Sequence, residues 1–549
     1  MKRDGTPERE LLFLALGGSG EIGMNVNLYG CDGKWLMVDL GMTFSGGDYP
    51  GVDLVLPDLE FIEDQVDNLL GVVLTHAHED HIGAIPYLAD ELGVPLYAMP
   101  FTADLIARKL EEAGLGRSVE LNVIEEQGEA FRLGPFTLSY LPVAHSIAEA
   151  NALLIDTPYG RLFHSGDWKL DADPIIGDPA SGEQLKAIGD AGVLALVCDS
   201  TNVFNNEASG SEGAVHRGLM EEVKRHEGCR VVVTTFASNV ARLQTLGEVA
   251  NETGRRLCVA GRSIDRILQV AQDNGYLADF PKPVRFEDAM ELPRGEVMII
   301  ATGGQGEPRA ALSRMAEGNH PLQLTAGDTV LFSSRQIPGN ESAIGRMQNA
   351  LAERGIAMVT DRQATIHVSG HPGRPELEAM YRWLRPEILV PVHGEVRHLA
   401  EQARLGREAG IPNAVVQKNG QVVRLAPGKP EKLREVRAGR LLLDGDIIIP
   451  ADGDAMTARR RMAQNGFLVV LLGDANVVQV EAFGLPLDED HEDFVAEAQT
   501  DVGKAIAKLA PAARRDENAI LEAARVAARQ AARRWSGKNP QVKVIRSRL

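Results

Sequence analysis

Three histidines and two acids lie within six residues, in the stretch His76-Ala-His78-Glu-Asp80-His81. The stretch follows the apolar run 69–74, which predicts a buried strand, so the cluster should lie where a strand ends and a loop begins. Neutral imidazole and carboxylate are ligands that hold Zn²⁺ or Mn²⁺. So many donors this close cannot all face one ion with good geometry, so the pattern predicts two metals side by side, suited to in-line attack on an ester. The alternative is a polar loop whose histidines only cap and hydrogen-bond.

Length and composition are those of an ordinary globular protein with several domains. The chain has 549 residues, of which 44% are hydrophobic and 24% charged, so we expect two or three domains. No apolar stretch is long enough to cross a bilayer, and residues 1–10 are too charged for a signal peptide. Four scattered cysteines suit a reducing compartment, so we expect a cytoplasmic protein.

The net charge of −20 argues against broad, non-specific affinity for nucleic acid. It does not exclude a nuclease, because metals and a few arginines can make a local positive channel. The last stretch of the chain concentrates basic residues, among them Arg525, Arg529, Arg533 and Arg534. The preferred interpretation is the solvated face of a helix, and an RNA contact is the alternative.

The rhythm of the sequence predicts an α/β layered first region with a second domain inserted into it. Up to about residue 210, short strands such as 136–141 and 161–164 are each followed by polar residues. From 213 to 360, regular strand and helix alternation predicts a parallel sheet with crossover helices. Ligand-type residues return after about 361, which indicates the insertion.

The region from about 450 predicts a smaller α/β unit. Apolar strands at 466–472 and 477–482 should form a hairpin, and the Ala- and Arg-rich run 502–535 should form helices broken near Pro511.

The glycines at 18, 20 and 23 fit the GxGxxG pattern of dinucleotide-binding folds, and Asp39 lies at a plausible distance for a ribose contact. That interpretation requires a helix after the glycines. Residues 24–30 alternate apolar and polar instead, which predicts a strand, so two turns in a β-rich opening explain the glycines better.

The ligand-type residues recur in a fixed order along the chain. Asp39 and the histidine cluster are followed by His145, by Asp167 in His164-Ser-Gly-Asp167, and by His393 in Val-His393-Gly. This order resembles the metallo-β-lactamase superfamily, whose signature is HxHxDH followed by a later His, Asp and His. Further motifs resemble the β-CASP nucleases, and among them the bacterial ribonuclease J family: Gly17–Asn25, Cys198–Asn202, Thr235–Arg242, Gly261–Ser263, Thr302–Pro308, Ile337–Glu341 and His367–His371.

The resemblance covers about residues 10 to 425 and implies an α/β fold. We expect a metallo-β-lactamase αββα sandwich made of residues 1–212 and 361–430, with an inserted β-CASP parallel α/β domain at 213–360. A linker is expected at 431–450, followed by a small C-terminal α/β domain at 451–549.

The resemblance also implies two divalent metal ions, with Zn²⁺ expected and Mn²⁺ or Mg²⁺ as alternatives. The expected ligands are His76, His78 and His145 for one ion, Asp80, His81 and His393 for the other, and Asp167 as the bridge. Asp39 is expected to orient a ligand histidine. Taken alone, His145, Asp167 and His393 would each fit a core or turn position, and only the joint pattern marks them as ligands. The family often has proline after the third-motif histidine, whereas here the sequence is His145-Ser-Ile-Ala-Glu149, so the local loop shape should differ.

Asp80, His81, His371 and Asp199 are the expected catalytic residues. A histidine can protonate the departing 3′-oxygen, with phosphate binding as the alternative role of His371. The resemblance implies that the 5′-monophosphate of RNA is bound by Phe236, Ala237, Ser238, Asn239, Arg262, His367, Val368, Ser369, Gly370 and His371. Small side chains, hydroxyls and backbone N–H groups can form such an anion site. Alternatively, Ser238-Asn239 only caps the next helix, and Arg262 only forms a surface salt bridge.

The implied activity is processive 5′-to-3′ exonuclease action on single-stranded RNA with a 5′-monophosphate, in RNA decay and in rRNA and mRNA maturation. Endonuclease cleavage is left open. Implied partners are further copies of the chain, as a homodimer or homotetramer, and an RNA-degradation complex, with no membrane. Three other classes are alternatives. A small-molecule hydrolase such as a lactonase would not need the insertion, a DNA-directed nuclease would differ in substrate, and a silent RNA-binding scaffold would not need intact ligands at every motif position.

Overall fold

The computed structural model describes residues 9–336, 340–473 and 478–547. The charged start at 1–8, residues 337–339 of the Ile337–Glu341 motif, and Val477 of the predicted hairpin lie outside the described residues. The chain forms two compact units. One joins the described residues before 44 with Leu56–Gly439, and the other joins Phe44–Val55 with the described residues from Arg440 onward.

The first half of the chain alternates short strands with helices, as its sequence rhythm predicts. The strands up to residue 199 are β1 (Leu11–Gly17), β2 (Ser19–Gly20), β3 (Val26–Cys31), β4 (Lys34–Val38), β5 (Thr43–Phe44), β6 (Leu54–Pro57), β7 (Leu69–Val73), β8 (Leu96–Ala98), β9 (Leu121–Val123), β10 (Phe131–Leu133), β11 (Phe136–Pro142), β12 (Asn151–Thr157), β13 (Gly160–His164) and β14 (Ala195–Asp199). The helices among them are α1 (Glu60–Glu63), α2 (Glu79–Ile82), α3 (Ile85–Leu92), α4 (Pro100–Glu112) and α5 (Gly182–Asp190).

The second half begins with the inserted region and ends with the C-terminal unit. Its helices are α6 (Glu212–Arg225), α7 (Val240–Glu252), α8 (Arg262–Asp273), α9 (Phe286–Glu291), α10 (Ala311–Ala316), α11 (Glu341–Glu353), α12 (Arg374–Leu384), α13 (Val396–Glu408), α14 (Asp454–Asn465), α15 (His491–Ala507) and α16 (Glu517–Ser536). Its strands are β15 (Val231–Thr234), β16 (Arg256–Ala260), β17 (Val297–Ala301), β18 (Thr329–Phe332), β19 (Ala357–Val359), β20 (Ile388–Val392), β21 (Gly394–Glu395), β22 (Asn413–Ala414), β23 (Gln421–Ala426), β24 (Glu431–Glu435), β25 (Arg440–Asp444), β26 (Ile447–Pro450), β27 (Phe467–Leu472), β28 (Val478–Phe483) and β29 (Gln541–Arg546).

Two mixed sheets pack face to face in the first unit. One has the strand order β24-β23-β1-β3-β4-β7-β8-β9, and the other has the order β10-β11-β12-β13-β14-β20-β22. Phe13 and Val38 of the first sheet share a core with Tyr140 and Ile155 of the second. Helix α4 packs on β8 and β9, and a further core joins the second sheet to α5 and α12. The predicted αββα sandwich is confirmed.

The glycine-rich opening turns between strands and does not lead into a helix. Gly18 and Gly23 have φ values of 80° and 87°, a region that glycine enters without steric cost. Strand β3 follows them, as the alternating pattern predicts, so the structure lacks the helix start that a dinucleotide site would need at this position.

The inserted region is a parallel α/β domain, as predicted. Its sheet has the order β16-β17-β15-β18-β19, and all its strand pairs are parallel. It buries its own apolar core, which includes Val232, Ile299 and Val330. Because parallel strands need crossover connections, the helices between them follow from the same sequence pattern.

Residues 431–450, expected as a linker, instead carry three strands. Strand β24 pairs with β23, while β25 and β26 pair with each other as a hairpin. The turn of the hairpin contains Gly445 with a φ of 64°. Apolar runs on both sides of Asp444-Gly445 are a hairpin signal, and the division between the two units falls just before β25.

The C-terminal unit places two long helices on a three-stranded sheet. Strand β27 pairs antiparallel with β28 and parallel with β29, which confirms the predicted hairpin within the described residues. Helices α15 and α16 leave Pro511 between them, as predicted. Phe494, Ala498, Ala524 and Ala528 form much of the core under this sheet.

A buried ion pair joins α6 to α7 where the inserted domain meets the sandwich. Arg242 of α7 is fully buried, and its Nη2 lies 3.0 Å from Oε2 of Glu212. The same guanidinium donates to the carbonyl oxygens of Ser333 at 2.9 Å and Ile366 at 3.2 Å. One buried cation thus holds one carboxylate and two backbone segments.

We predict that Arg242→Ala lowers the free energy of unfolding by about 3–5 kcal/mol, because it leaves the Glu212 carboxylate buried and unpaired. Urea unfolding followed by circular dichroism measures the change. Arg256→Ala, at an exposed arginine of β16, is the matched control and should change stability by about 0.5 kcal/mol or less. Equal losses in both variants would contradict the prediction.

Candidate metal centre

The seven residues that the sequence predicts as metal ligands gather in one place. They come from the ends of strands and from one short helix, so the backbone fixes each of them independently. His76 and His78 follow β7, Asp80 and His81 lie in α2, His145 lies between β11 and β12, Asp167 follows β13, and His393 follows β20.

The first group consists of His76, His78, His145 and Asp167, whose ligand atoms all lie within 4.8 Å of one another. Nδ1 of His78 lies 3.1 Å from Nε2 of His76 and 3.0 Å from Nε2 of His145. Oδ2 of Asp167 lies 3.9 Å from Nε2 of His76 and 3.8 Å from Nε2 of His145. Three imidazole nitrogens and one carboxylate oxygen around one small volume form a donor set that suits Zn²⁺.

The second group consists of Asp80, His81, His393 and the same Asp167. Oδ2 of Asp167 lies 3.3 Å from Nε2 of His81 and 3.4 Å from Nε2 of His393. Oδ2 of Asp80 lies 3.1 Å from Nε2 of His393. The Asp167 carboxylate therefore stands between two candidate cation positions.

The charge states of the first group fit a metal. Burial, together with neighbouring imidazoles, holds the pKa of His76 and of His145 well below the ordinary value. Burial also lowers the pKa of His78 to about 4. At neutral pH all three rings are therefore uncharged, which is the form in which imidazole binds a metal ion.

The carboxylates of the second group favour positive charge on their neighbours. Burial opposes the charged form of His393, but the Asp167 and Asp80 carboxylates outweigh it and raise the pKa of His393 to about 9. For His81, burial is likewise outweighed by Asp167 and Asp39, which raise its pKa well above the ordinary value. Buried carboxylates need cationic partners, and a divalent ion can replace these protons.

The outer nitrogens of three rings are held by other groups, so that Nε2 faces the centre. Nδ1 of His81 lies 2.7 Å from Oδ2 of Asp39; the sequence predicts Asp39 beside a ligand histidine but not which one. Nδ1 of His145 lies 2.7 Å from the Gly370 carbonyl oxygen, and Nδ1 of His393 lies 2.9 Å from the Thr201 hydroxyl. Such partners fix the tautomer and orientation of a ligand histidine.

His371 and Asp199 form a pair beside the centre. Nδ1 of His371 lies 2.7 Å from Oδ2 of Asp199 and 3.9 Å from Oδ2 of Asp167. Burial opposes the charge on His371, but both carboxylates outweigh it and raise its pKa above the ordinary value. The protonated ring is thus favoured, and its Nε2 could donate to a group bound at the centre.

The two segments expected to bind phosphate are linked through Arg242. Phe236, Ala237 and Ser238 form a turn before α7, and Asn239 Oδ1 caps this helix by accepting the Arg242 backbone N–H at 2.9 Å. The Arg242 guanidinium reaches the carbonyl of Ile366, directly before the His367–His371 segment. The capping alternative for Asn239 is therefore present, and a capped helix start also suits an anion.

The remaining predicted residues differ in their surroundings. Burial and the cations of Arg242 and Arg335 lower the pKa of His367 to about 3. Ser369 accepts hydrogen bonds from Asn202 Nδ2 at 2.6 Å and from the His371 N–H at 3.1 Å. The Val368 side chain packs against Gly210. Arg262 is exposed at the first turn of α8, and within the described residues it forms no hydrogen bond or ion pair with either segment.

Three residues of the centre were not singled out by the sequence. Asn25 Nδ2 lies 3.1 Å from Nε2 of His81 and donates to the Asp80 carbonyl at 3.2 Å. Thr75 donates both its N–H and its hydroxyl to Asp39, and Thr201 holds His393. Asn25 and Thr201 belong to quoted motifs, so a signal existed for them, whereas nothing in the sequence marks Thr75.

Four family models match consecutive parts of the chain. They are described as "Metallo-beta-lactamase superfamily" at residues 22–195, "Ribonuclease J, beta-CASP domain" at 228–351, "Zn-dependent metallo-hydrolase RNA specificity domain" at 355–416 and "Ribonuclease J C-terminal domain" at 455–549. Together with the sandwich and its His and Asp cluster, these matches define a hydrolase of the metallo-β-lactamase fold that carries a β-CASP insertion.

Curated relatives narrow the class to one family. The chain is 42% identical to "Ribonuclease J" of Sinorhizobium meliloti, with 99% of this chain and 98% of the relative covered. It is 39% identical to "Ribonuclease J" of Mycolicibacterium smegmatis, with 96% of this chain and 94% of the relative covered. The chain belongs to the ribonuclease J family.

One solved structure supports the fold alone. It is a crystal structure of a protein of unknown function from Enterococcus faecalis, 16% identical, with a TM-score of 0.53, and it covers 76% of this chain and 100% of its own. Within the described residues, no helix is long and apolar enough to span a membrane.

We predict that Asp39→Asn weakens zinc binding by about 10- to 100-fold, because the amide no longer stabilises the His81 imidazole as a carboxylate does. Competition with a chromophoric chelator measures the affinity. Asp156→Asn, which changes a surface pair with Arg161, is the control and should bind zinc as the wild type does. Wild-type affinity in the Asp39 variant would rule out the orienting role.

Proposed function

We propose that this chain is a metal-dependent ribonuclease that degrades single-stranded RNA processively from the 5′ end and releases nucleoside 5′-monophosphates. The observation that carries the proposal is the pair of ligand groups that share Asp167, with the His371–Asp199 pair beside them. The relatives named Ribonuclease J and the matched RNA specificity domain support RNA as the substrate.

Two divalent ions would be held by the residues of the two groups. We assign His76, His78 and His145 to one ion, Asp80, His81 and His393 to the other, and Asp167 to both. Zn²⁺ suits these nitrogen and oxygen donors, with Mn²⁺ or Mg²⁺ as alternatives. When bound, such a pair supplies an activated water and neutralises charge on the phosphate that is attacked.

The chain's own residues would handle the proton of the leaving group. Hydrolysis of the phosphodiester releases a 3′-oxygen, which needs a proton. Asp199 holds Nδ1 of His371 and favours the charged ring, so Nε2 is left to donate that proton. The alternative role of His371, electrostatic binding of the phosphate, uses the same positive charge.

The 5′-monophosphate would be received by the residues around Arg242. The turn 236–239 offers small side chains and backbone N–H groups, and the 367–371 segment adds Ser369 and His371. Because single bases can be unstacked and threaded while a duplex cannot, we propose single-stranded RNA as the substrate. Arg262 is retained as a contact to a more distant phosphate.

We extend the proposal to organisation and setting. We retain residues 1–212 with 361–430 as the catalytic domain, 213–360 as the β-CASP domain and 451–549 as the C-terminal domain. We propose a cytoplasmic enzyme of RNA decay and of rRNA and mRNA maturation that works with an RNA-degradation complex, and we leave endonuclease cleavage open.

Exposed apolar residues on the edge strands β28 and β29, Phe483 and Ile545, support association as a homodimer or homotetramer.

We predict that a 3′-labelled RNA with a 5′-monophosphate is degraded faster than the same RNA with a 5′-triphosphate, because the proposed site at 236–239 and 367–371 would receive one phosphate group. Matched body-labelled RNAs and matched DNA oligomers, resolved by thin-layer chromatography and by gel, identify the products. Mononucleotides are the expected product, and DNA should remain intact. Internal RNA fragments without mononucleotides would overturn the exonuclease proposal.

We predict that the Asp80→Ala, His81→Ala double variant loses one of two bound zinc ions and more than about 99% of its activity, because removing residues of a catalytic unit costs orders of magnitude. Elemental analysis after dialysis counts the ions, and the RNA assay above measures activity. Arg256→Ala serves as the control with both ions retained. Full activity in the double variant would contradict the assigned site.

A further inference from the structure

The loop that carries His145 is anchored mainly at its two ends. Pro142 pairs with Asn151 where β11 meets β12, and the Val143 N–H donates to the Ala150 carbonyl at 2.9 Å. Between His145 and Glu149 the sequence is Ser-Ile-Ala, with no proline to restrict the backbone. Glu149 itself has a φ of 51°, a strained conformation that surrounding contacts must hold in place.

The Glu149 side chain supplies such contacts, and it joins three elements. Its Oε2 accepts the backbone N–H of Phe101 at 2.8 Å, in the first turn of α4. Its Oε1 accepts the hydroxyl of Tyr276 at 3.2 Å, and Tyr276 belongs to the inserted domain, just after α8. The rings of Phe101 and Tyr276 meet edge to face with centroids 6.0 Å apart.

This contact lies at the interface between α4 and α8, the seam, and is less exposed than the ion pairs there. Elsewhere along the seam, Arg266 pairs with Glu112 at 2.7 Å and Arg108 pairs with Asp273 at 2.6 Å. Those pairs are largely exposed, and exposed ion pairs contribute little because water and salt screen them. Glu149 is half-buried, so its hydrogen bonds to Phe101 and Tyr276 are screened less by water than the exposed pairs are, and the bond to Tyr276 exists only when the inserted domain is in this position.

The loop also has room to shift. A cavity of about 130 Å³ lies beside it, lined by His145, Glu149 and Tyr276 among others. The imidazole of His145 is held on its other side by the Gly370 carbonyl at 2.7 Å. Beside His145, the Lys169 N–H donates to the Ala144 carbonyl at 2.8 Å, so the near side of the loop is held there and the Glu149 contacts hold its far side.

We propose that Glu149 is a positioning residue that, through Tyr276, makes the place of His145 depend on the position of the inserted domain. Metal retention by the His76, His78 and His145 group then depends on a contact between the two domains of the first unit. The inference rests on the proposed metal sites. It adds a way in which the inserted domain influences the centre that is proposed to cleave RNA.

Zinc release from the zinc-loaded full-length protein tests this proposal. An excess of a chromophoric chelator binds each zinc ion as it is released, so its absorbance reports the rate of zinc release and the number of ions lost. Tyr276→Phe removes only the hydroxyl and should release one ion about threefold faster, the effect of one lost hydrogen bond. Glu149→Ala removes both bonds and should release that ion about tenfold faster, as loss of support for a ligand does.

Two further variants separate positioning from general destabilisation. Glu149→Gln keeps an acceptor for the Phe101 N–H and gains a donor toward Tyr276, so it should stay within about twofold of the wild type. Arg266→Ala breaks the exposed pair on the same seam and should leave zinc release unchanged. With RNA, Tyr276→Phe should lower kcat while KM stays the same.

The outcomes distinguish the two proposals. A wild-type protein that holds fewer than two divalent metal ions, and that stays inactive on RNA when Zn²⁺, Mn²⁺ or Mg²⁺ is supplied, would overturn the proposed function. Two ions in the wild type, with the same release rate in Tyr276→Phe and Arg266→Ala, would overturn the coupling alone. Should Glu149→Ala fail to fold, Tyr276→Phe and Glu149→Gln still decide, because both preserve the size of the side chain.

Discussion

A single buried carboxylate organises the centre. Asp167 is 2% exposed, and its Oδ2 lies within 3.9 Å of ring nitrogens of His76, His81, His145, His371 and His393. An isolated carboxylate in such a place would be expensive, because burial removes its hydration. The surrounding rings, and the cations they can bind, compensate for that cost, so the fold must place all five histidines around the same Asp167 oxygen.

The strand topology explains how the histidines come together around Asp167. The ends of β7, β13 and β20 come from two different sheets, and packing those sheets face to face brings their polar ends together. His371 and His393 lie after the inserted domain in sequence, so the centre is complete only when the chain returns to the sandwich. Strand β20 returns beside β14 in parallel register, and this pairing aligns Asp199 with Val392, the residue before His393. An insertion of about 150 residues is tolerated because the strands on either side of it, β14 and β20, are paired neighbours, and the entropic cost of closing a loop rises only slowly with its length.

The sequence could predict what depends on residue type and periodicity. Candidate ligand histidines and aspartates after apolar strands were identifiable because their chemistry is specific and their spacing is short, and the parallel insertion followed from alternating strands and helices. The Gly370 carbonyl on His145 could not be predicted, because every residue has a carbonyl and only the fold selects one. Thr75 and the Glu149 contacts were missed for a related reason: common polar residues acquire their roles from partners far away in sequence. The strands in 431–450 were missed although the Asp444-Gly445 turn between apolar runs was a usable signal.

The distribution of charge bears on how an acidic chain meets a polyanion. Residues 440–549 carry 16 acidic and 16 basic residues, so the net charge of −20 belongs to residues 1–439. Two of the four arginines of α16 are already paired with acids, Arg525 with Glu522 and Arg534 with Glu497, which favours a solvated helix face over an RNA contact there. In the proposed function, attraction of RNA must therefore come from a few local cations: the protonated His371 and the metal ions that the two ligand groups would hold. Such a short-range arrangement neutralises few phosphates, and binding that neutralises few phosphates depends weakly on salt. Because the acidic remainder of residues 1–439 repels a polyanion, in the proposed function only a strand that reaches the centre would gain a net attraction.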